Sequence, residues 1–258
     1  MQARVVTIAR GARWLGEGFR IFRAAPLGWL ALVFAYLFIT QLMSFVPLVG
    51  SGAAALLVPA FSVGLMSAAR AVAAGGRLEL GALFDGFRQG LPRQLALGVV
   101  YLACILLVLA AAALADHDGA VRAVLSGRRK PEELEPGDVL GPAAVFSLAY
   151  APVMMMFWFA PLLAAWHDSG AAKALFFSFF ACLLNWRAFL AYGAITAVVT
   201  LALPFLTLSV VALVAGGAQR VHPGSLMIPF LLLLLPTLFA SFYASYRDVF
   251  AAPQSEAV

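Results

Sequence analysis

Charge is what this chain has least of. Lys, Arg, Asp and Glu make up 11% of its 258 residues, against about 25% in an ordinary soluble domain. Six stretches, near 27–46, 48–69, 95–115, 141–166, 188–216 and 224–246, contain none of them and no histidine. A helix needs roughly 20 apolar residues to cross a hydrocarbon core about 30 Å thick, and each stretch reaches that length. A charge at mid-bilayer costs about 2.5–3.5 kcal/mol, so its absence marks the stretches as membrane spans. The same absence weighs against ion-coupled pumping and voltage sensing, which place ionisable groups inside the spans. Cysteine is scarce too. Cys104 and Cys182 both lie in apolar surroundings, which argues against a disulfide framework or a thiolate metal site. No Gly-rich phosphate loop, nucleophile elbow or HExxH pair is present, so the sequence offers no catalytic residue, cofactor motif or metal ligand set.

What is present is 64% apolar and leaves too little chain outside the spans for a separate soluble domain. Residues 1–258 read as one all-α membrane domain. The basic residues set its orientation. Twelve flank one end of the spans: Arg4, Arg10, Arg13, Arg20, Arg23, Arg70, Arg77, Arg88, Arg93, Lys173, Arg187 and Arg247. Five flank the other: Arg122, Arg128, Arg129, Lys130 and Arg220. Excess Lys and Arg mark the cytoplasmic side, so both termini are expected there, with the acidic loop 116–140 outside. Five arginines before the first span, and five spans after it, argue against a cleaved signal peptide. Residues 174–186 are apolar but too few to cross. A seventh span there would also take Arg187 into a merged apolar run.

The spans read as three hairpins, each preceded by a short interfacial helix. Trp14, Leu15, Gly18, Phe19 and Phe22 share one face of the first such helix, and Arg10, Arg13, Glu17, Arg20 and Arg23 the other. The expectation is aromatics in lipid and arginines on anionic headgroups, with Pro26 ending the helix. Residues 83–91 repeat the pattern: Leu83, Phe84, Phe87 and Leu91 face one way, Asp85 and Gln89 the other, and Pro92 ends the run. The triplet Gly18-Phe19-Arg20 recurs as Gly86-Phe87-Arg88. In the third copy, Ala174, Ser178, Ala181 and Asn185 form a small stripe for helix contact, opposite phenylalanines and leucines for lipid. Pro59 precedes Arg70 by eleven residues, and Pro236 precedes Arg247 by the same distance. The alternative is chance likeness between apolar segments.

Polar candidates are few. Asp116-His117-Asp118 reads as a solvated loop start with Asp118 capping a short helix, and His222 as an external turn. His167-Asp168 marks the end of the fourth span. Gln41, Thr196 and Thr200 form a candidate intramembrane polar site, against a plainer reading as interhelical hydrogen bonds. Gln41 in particular wants a partner in lipid. Ala60, Gly64 and Ala68 suit close helix packing. The run Met154–Phe159 reads as lipid-facing or packed surface rather than a pocket. Candidate anionic-lipid contacts are Arg10, Arg13, Arg20, Arg23, Arg70, Arg77 and Arg247.

Several stretches resemble a family of proteobacterial polytopic inner-membrane proteins of unknown function. They are Gly18-Phe19 through Pro26 and Trp29, Phe45-Val46-Pro47-Leu48-Val49-Gly50, and Val58-Pro59-Ala60-Phe61-Ser62-Val63-Gly64-Leu65. Asp168 and Gly170 through Ala174-Leu175, Ser178, Asn185 and Trp186 also fit, as does Tyr246-Arg247-Asp248-Val249-Phe250. The resemblance implies a multi-span protein of the bacterial inner membrane and carries no catalytic residues. The leading expectation is a non-enzymatic protein acting through membrane lipids, other membrane proteins or a second copy of itself. Nucleic acid is not expected, because the arginines flank spans. The alternatives are a permease for an uncharged or lipid-like substrate and a membrane-embedded enzyme.

Overall fold

Proline decides where several of the helices start. It has no N–H to give, and its φ suits a first helical turn. In the computed structural model, which describes residues 3–47, 49–116, 119–128, 130, 133–214 and 224–250, α1 covers Ile8–Ala24 and α2 begins at Pro26 and ends at Ser44. α3 is Gly50–Ala73, followed by a 3₁₀ turn, Leu80–Phe84, and a single helical turn α4, Asp85–Arg88. Pro92 therefore opens the next helix rather than closing this one: α5 is Leu91–Leu114. After α6, Ala120–Leu125, a reciprocal cap between Glu135 and Asp138 starts α7, Pro136–Phe157. Then come α8, Ala160–Trp166, and α9, Ala171–Leu184. α10 is Trp186–Ala197, a π turn covers Val198–Ala202, and α11 is Leu203–Val214. α12, Gly224–Phe250, ends the described chain. Expectations placed on His117, Asp118, Arg129, Glu132, Arg220 and His222 lie outside the described residues.

Six helical segments are long and apolar enough to cross a membrane: Pro26–Ser44, Gly50–Ala73, Leu91–Leu114, Pro136–Trp166, Trp186–Val211 and Phe230–Phe250. The chain is an all-α integral membrane protein. α9, at 14 residues, stands apart from the next helix and is not a seventh span. The fourth segment starts five residues before the expected position and breaks between Phe157 and Ala160. Pro161 explains the break, because it cannot donate to the carbonyl four residues back. Pro204 does the same just after the π turn.

Each short helix packs on the exit helix of a hairpin. The α4 region lies along α3, with Gly86 against the backbone of Ala60 and Gly64 against that of Leu83. α9 lies on α7 and α8. There the Ser178 hydroxyl accepts the Phe159 N–H freed by the break, at 2.9 Å, and donates to the Met155 carbonyl at 2.8 Å. Its small stripe, Ala174, Ser178, Ala181 and Asn185, is buried, while Phe176, Phe180, Leu183 and Leu184 are exposed, as the sequence predicts.

α1 differs from expectation. It wedges into the third hairpin, with Gly11 against the backbone of Ala188 in α10 and Gly18 against Thr237 and Ser241 in α12. Trp14, Leu15 and Phe22 are buried in protein rather than lipid, and only Phe19 of that face is exposed. Gly18 and Gly86, the matching glycines of the repeated triplet, each meet the residue that follows a proline, Thr237 after Pro236 and Ala60 after Pro59. The core is concentrated at the end of the bundle bearing Arg70, His167 and Arg247. Toward the other end, Leu107, Leu114, Leu148 and Leu213 are exposed.

Candidate functional site

α10 packs chiefly against α1, whereas α7 packs against α5 and α9. The two therefore part, leaving a groove of about 840 Å³ between α7, α10 and α12. Its lining is almost wholly apolar and includes Met154 and Trp158 of α7, Trp186, Phe189 and Thr196 of α10, and Phe242 of α12. The volume lies within the range of about 300–1,000 Å³ typical of small-molecule sites. The run Met154–Phe159 is split: Met154, Met155 and Trp158 line the groove, while Phe159 is core. Aromatic rings build one wall. Trp158 meets Phe242 edge-on at 4.6 Å and Phe189 at 5.2 Å, and its indole N–H donates to Ser245 Oγ at 3.1 Å. The Tyr192 hydroxyl lies 2.6 Å from Ser241 Oγ. Thr196 Oγ1 is buried beside that hydroxyl.

The groove is tied to a cluster of charges at the basic end. Trp14 stacks edge-on beneath Phe189 at 5.2 Å, and its indole N–H donates to Asp248 Oδ2 at 2.9 Å. Arg10 binds the same carboxylate through Nε at 2.9 Å and Nη2 at 2.5 Å. Glu17 receives Arg247 at 2.5 Å, Arg10 at 3.3 Å and Arg20 at 3.6 Å. Two mostly buried carboxylates thus hold three arginines. The hydrogen bond to Asp248 raises the Arg10 pKa further above its ordinary value against the cost of burial. Sequence reasoning missed this clasp. Its signal was Glu17 on an arginine-rich face and Asp248 as the only acid between Asp168 and the described end at Phe250.

The predicted sites fare unequally. Arg10, Arg20 and Arg247 belong to the clasp, and Arg70 lies 5.1 Å over the Trp166 ring. Arg13, Arg23 and Arg77 are exposed and make no ion pair among the described residues. Thr196 and Thr200 line the groove, but Gln41 does not join them. It lies exposed in the last turn of α2. Thr40, Ser44, Thr207 and Ser209 bond carbonyls of their own helices, not neighbouring ones. His167 and Asp168 diverge. His167 Nε2 is 2.6 Å from the Tyr246 hydroxyl, and desolvation lowers its pKa. Asp168, at φ 53°, pairs with Arg93. Asp116 caps α6, accepting the N–H groups of Val121 at 3.3 Å and Arg122 at 2.9 Å. Its carboxyl is held below the usual range by the backbone N–H of Arg122 against desolvation. Among the described residues, no three His, Cys, Asp or Glu side chains converge as a metal would require.

The chain is 36% identical over 262 aligned residues to a probable inner membrane protein of Burkholderia thailandensis. The alignment covers 98% of this chain and 96% of that protein. No family model matches the chain, and no solved structure does.

Proposed function

Because the chain belongs to the family of that probable inner membrane protein, we propose that it is a non-enzymatic inner-membrane protein acting through lipid contacts. On this reading it seats an acyl chain of the surrounding bilayer in the groove between α7, α10 and α12. The observation that carries the reading is the groove itself, apolar, about 840 Å³ in volume and flanked by exposed leucines such as Leu190 and Leu201. An apolar cleft at membrane depth fits hydrocarbon better than a water-borne substrate. The non-enzymatic part rests on the divergence of His167 and Asp168, each engaged by a different partner. The twelve-to-five division of basic residues supports termini in the cytoplasm. A reporter fused after Asp138 then reads as external, and a cytoplasmic signal there overturns this topology.

The test is to purify the protein in its native lipid and identify by mass spectrometry what remains bound. Retained phospholipid is expected. An uncharged metabolite in its place would overturn the reading and favour a permease. Thr196 and Thr200 on the groove wall keep that second reading open for a lipid-like substrate. The position of Gln41 outside the groove removes its third polar member.

A further inference from the structure

We propose that the groove is selective for an anionic phospholipid, with Arg187 holding the phosphate at its rim. This inference rests on the lipid-groove reading and adds the headgroup to it. Trp186 lines the groove at the start of α10, and the Arg187 guanidinium lies 5.3 Å over its ring. Stacking on an aromatic face holds a guanidinium in place while leaving its N–H edge open. Among the described residues no carboxylate pairs with that edge.

Four of the five described carboxylates at the basic end have an arginine partner, and the fifth, Glu79, is exposed and makes no ion pair among the described residues. Glu17 and Asp248 hold Arg10, Arg20 and Arg247; Asp85 pairs with Arg88, and Asp168 with Arg93. Arg187 makes no ion pair among the described residues, and the sequence from 169 to 247 contains no Asp or Glu. Lys173, one helix away, is likewise without a carboxylate and lies 5.9 Å over Phe177. Asn185, two residues before Arg187, clamps the backbone of the N-terminal segment, accepting the Val6 N–H at 2.7 Å and donating to the Arg4 carbonyl at 2.9 Å. The rim of an apolar groove is therefore positive and uncompensated.

The dimensions fit one ligand lying lengthwise. The lining on α10 runs from Trp186 to Leu201, about 22 Å at 1.5 Å per residue. Half of a hydrocarbon core is about 15 Å. A lipid with its phosphate at Arg187 lays its chain past Phe189 and Gly193 and ends beyond Thr196, near the π turn. An apolar channel with a cation at one end matches the two halves of an anionic phospholipid. A zwitterionic one brings its own cation to the same rim. Arginine forms bidentate hydrogen bonds to phosphate, which lysine cannot do.

The full-length protein in detergent is offered palmitoyl-oleoyl phosphatidylglycerol or phosphatidylcholine, and retained lipid is counted by native mass spectrometry. Both lipids offer the phosphate and only choline adds a cation at the rim, so the wild type is expected to prefer phosphatidylglycerol by about threefold to fivefold, the size of a screened surface charge contact. Arg187→Gln should abolish that preference while still binding phosphatidylcholine. Arg88→Gln, an exposed arginine paired with Asp85 and outside the groove lining, should leave the preference unchanged. A Cβ at Gly193 meets open space, so Gly193→Leu should fill the groove and expel both lipids. Equal retention of the two lipids by the wild type, or an undiminished preference in Arg187→Gln, overturns the headgroup assignment and leaves the groove reading standing. If neither lipid is retained, the groove reading itself fails. Quenching of wild-type tryptophan fluorescence by phosphatidylglycerol with a brominated chain needs no variant. Quenching no greater than that by bulk brominated detergent sinks both readings.

Discussion

Asp248→Ala removes the acceptor that joins α1 to α12. In the wild type, Asp248 Oδ2 receives Trp14 Nε1 and Arg10 Nε, both at 2.9 Å. Trp14 is 0% exposed, so without the carboxylate its N–H has no water to turn to. An unsatisfied buried donor costs about 1–3 kcal/mol. The Arg10 side chain is 37% exposed and keeps Glu17 at 3.3 Å. Its loss is screened and contributes about 1 kcal/mol or less. The expected destabilisation is about 2–4 kcal/mol. Asp248→Asn keeps an oxygen for the indole but turns its NH2 toward Arg10 Nη2, losing that hydrogen bond with the charge; because Arg10 is partly exposed, it should cost about 1 kcal/mol. A double-mutant cycle with Trp14→Phe should return a coupling of about 1–2 kcal/mol. The assay is reversible unfolding in detergent, paired with hydrogen exchange of residues 8–24. Because α10 leans on α1 through Gly11 and Trp14, the alanine variant should also retain less phospholipid. Equal, sub-0.5 kcal/mol effects from alanine and asparagine would refute the reasoning, since that is the size expected of a surface pair.

Other outcomes follow from the same geometry. Gly18→Ala and Gly86→Ala should each destabilise by about 1–3 kcal/mol through overpacking against helix backbone. Gly16→Ala, with nothing within 4 Å of the added carbon, should stabilise by about 0.5–1 kcal/mol; thermal midpoints that do not separate the two classes count against the packing described. Burial lowers the His167 pKa from its ordinary value, so the folded state favours the neutral ring. That advantage is complete above about pH 6.5 and is lost as pH falls through the lowered folded value. Between pH 7.5 and 5 the wild type should therefore lose more thermal stability than His167→Gln, and parallel losses would contradict this. Thr196→Val should change stability by about 1 kcal/mol or less, because the Tyr192 hydroxyl beside Thr196 keeps Ser241 Oγ as a partner. A loss clearly above that would overturn this expectation.

The spans were legible because the bilayer penalises charge, and that penalty acts on each residue separately. The face of α9 was legible too. Ala174, Ser178, Ala181 and Asn185 are small residues at helical spacing, and small residues admit close helix contact. α1 was not, because amphipathic periodicity shows that a face is apolar but not whether lipid or protein covers it. Trp14 and Phe22 went into protein, while Phe19, on the same apolar face, stayed exposed. The clue was glycine: Gly11 and Gly18, seven residues apart, allow backbones to approach. Gln41 was misplaced for a different reason. Its depth depends on where α2 stops, at Ser44, which composition does not give. The groove was invisible because it is a gap between α7 and α10, set by what each helix leans on.

That gap has a structural cause in the order of docking. The α4 region follows the first hairpin and packs on its exit helix, α3; α9 follows the second and packs on α7 and α8. α1, which precedes the first hairpin, docks in the third, next to the C-terminal end of α12. The Arg4 N–H donates to the Val249 carbonyl at 2.9 Å, and Arg10 and Trp14 meet Asp248. The same relation thus occurs three times and closes on itself. Closure has a consequence for α10. Wedged between α10 and α12, α1 draws α10 toward itself through Gly11 on Ala188, while Ser178 holds the break at Phe159 against α9. The α7 segment is thereby fixed on the far side, and the apolar groove is the space between the two. The clasp and the groove are two ends of one arrangement, which is why a charge variant at Asp248 is expected to be read out in bound lipid.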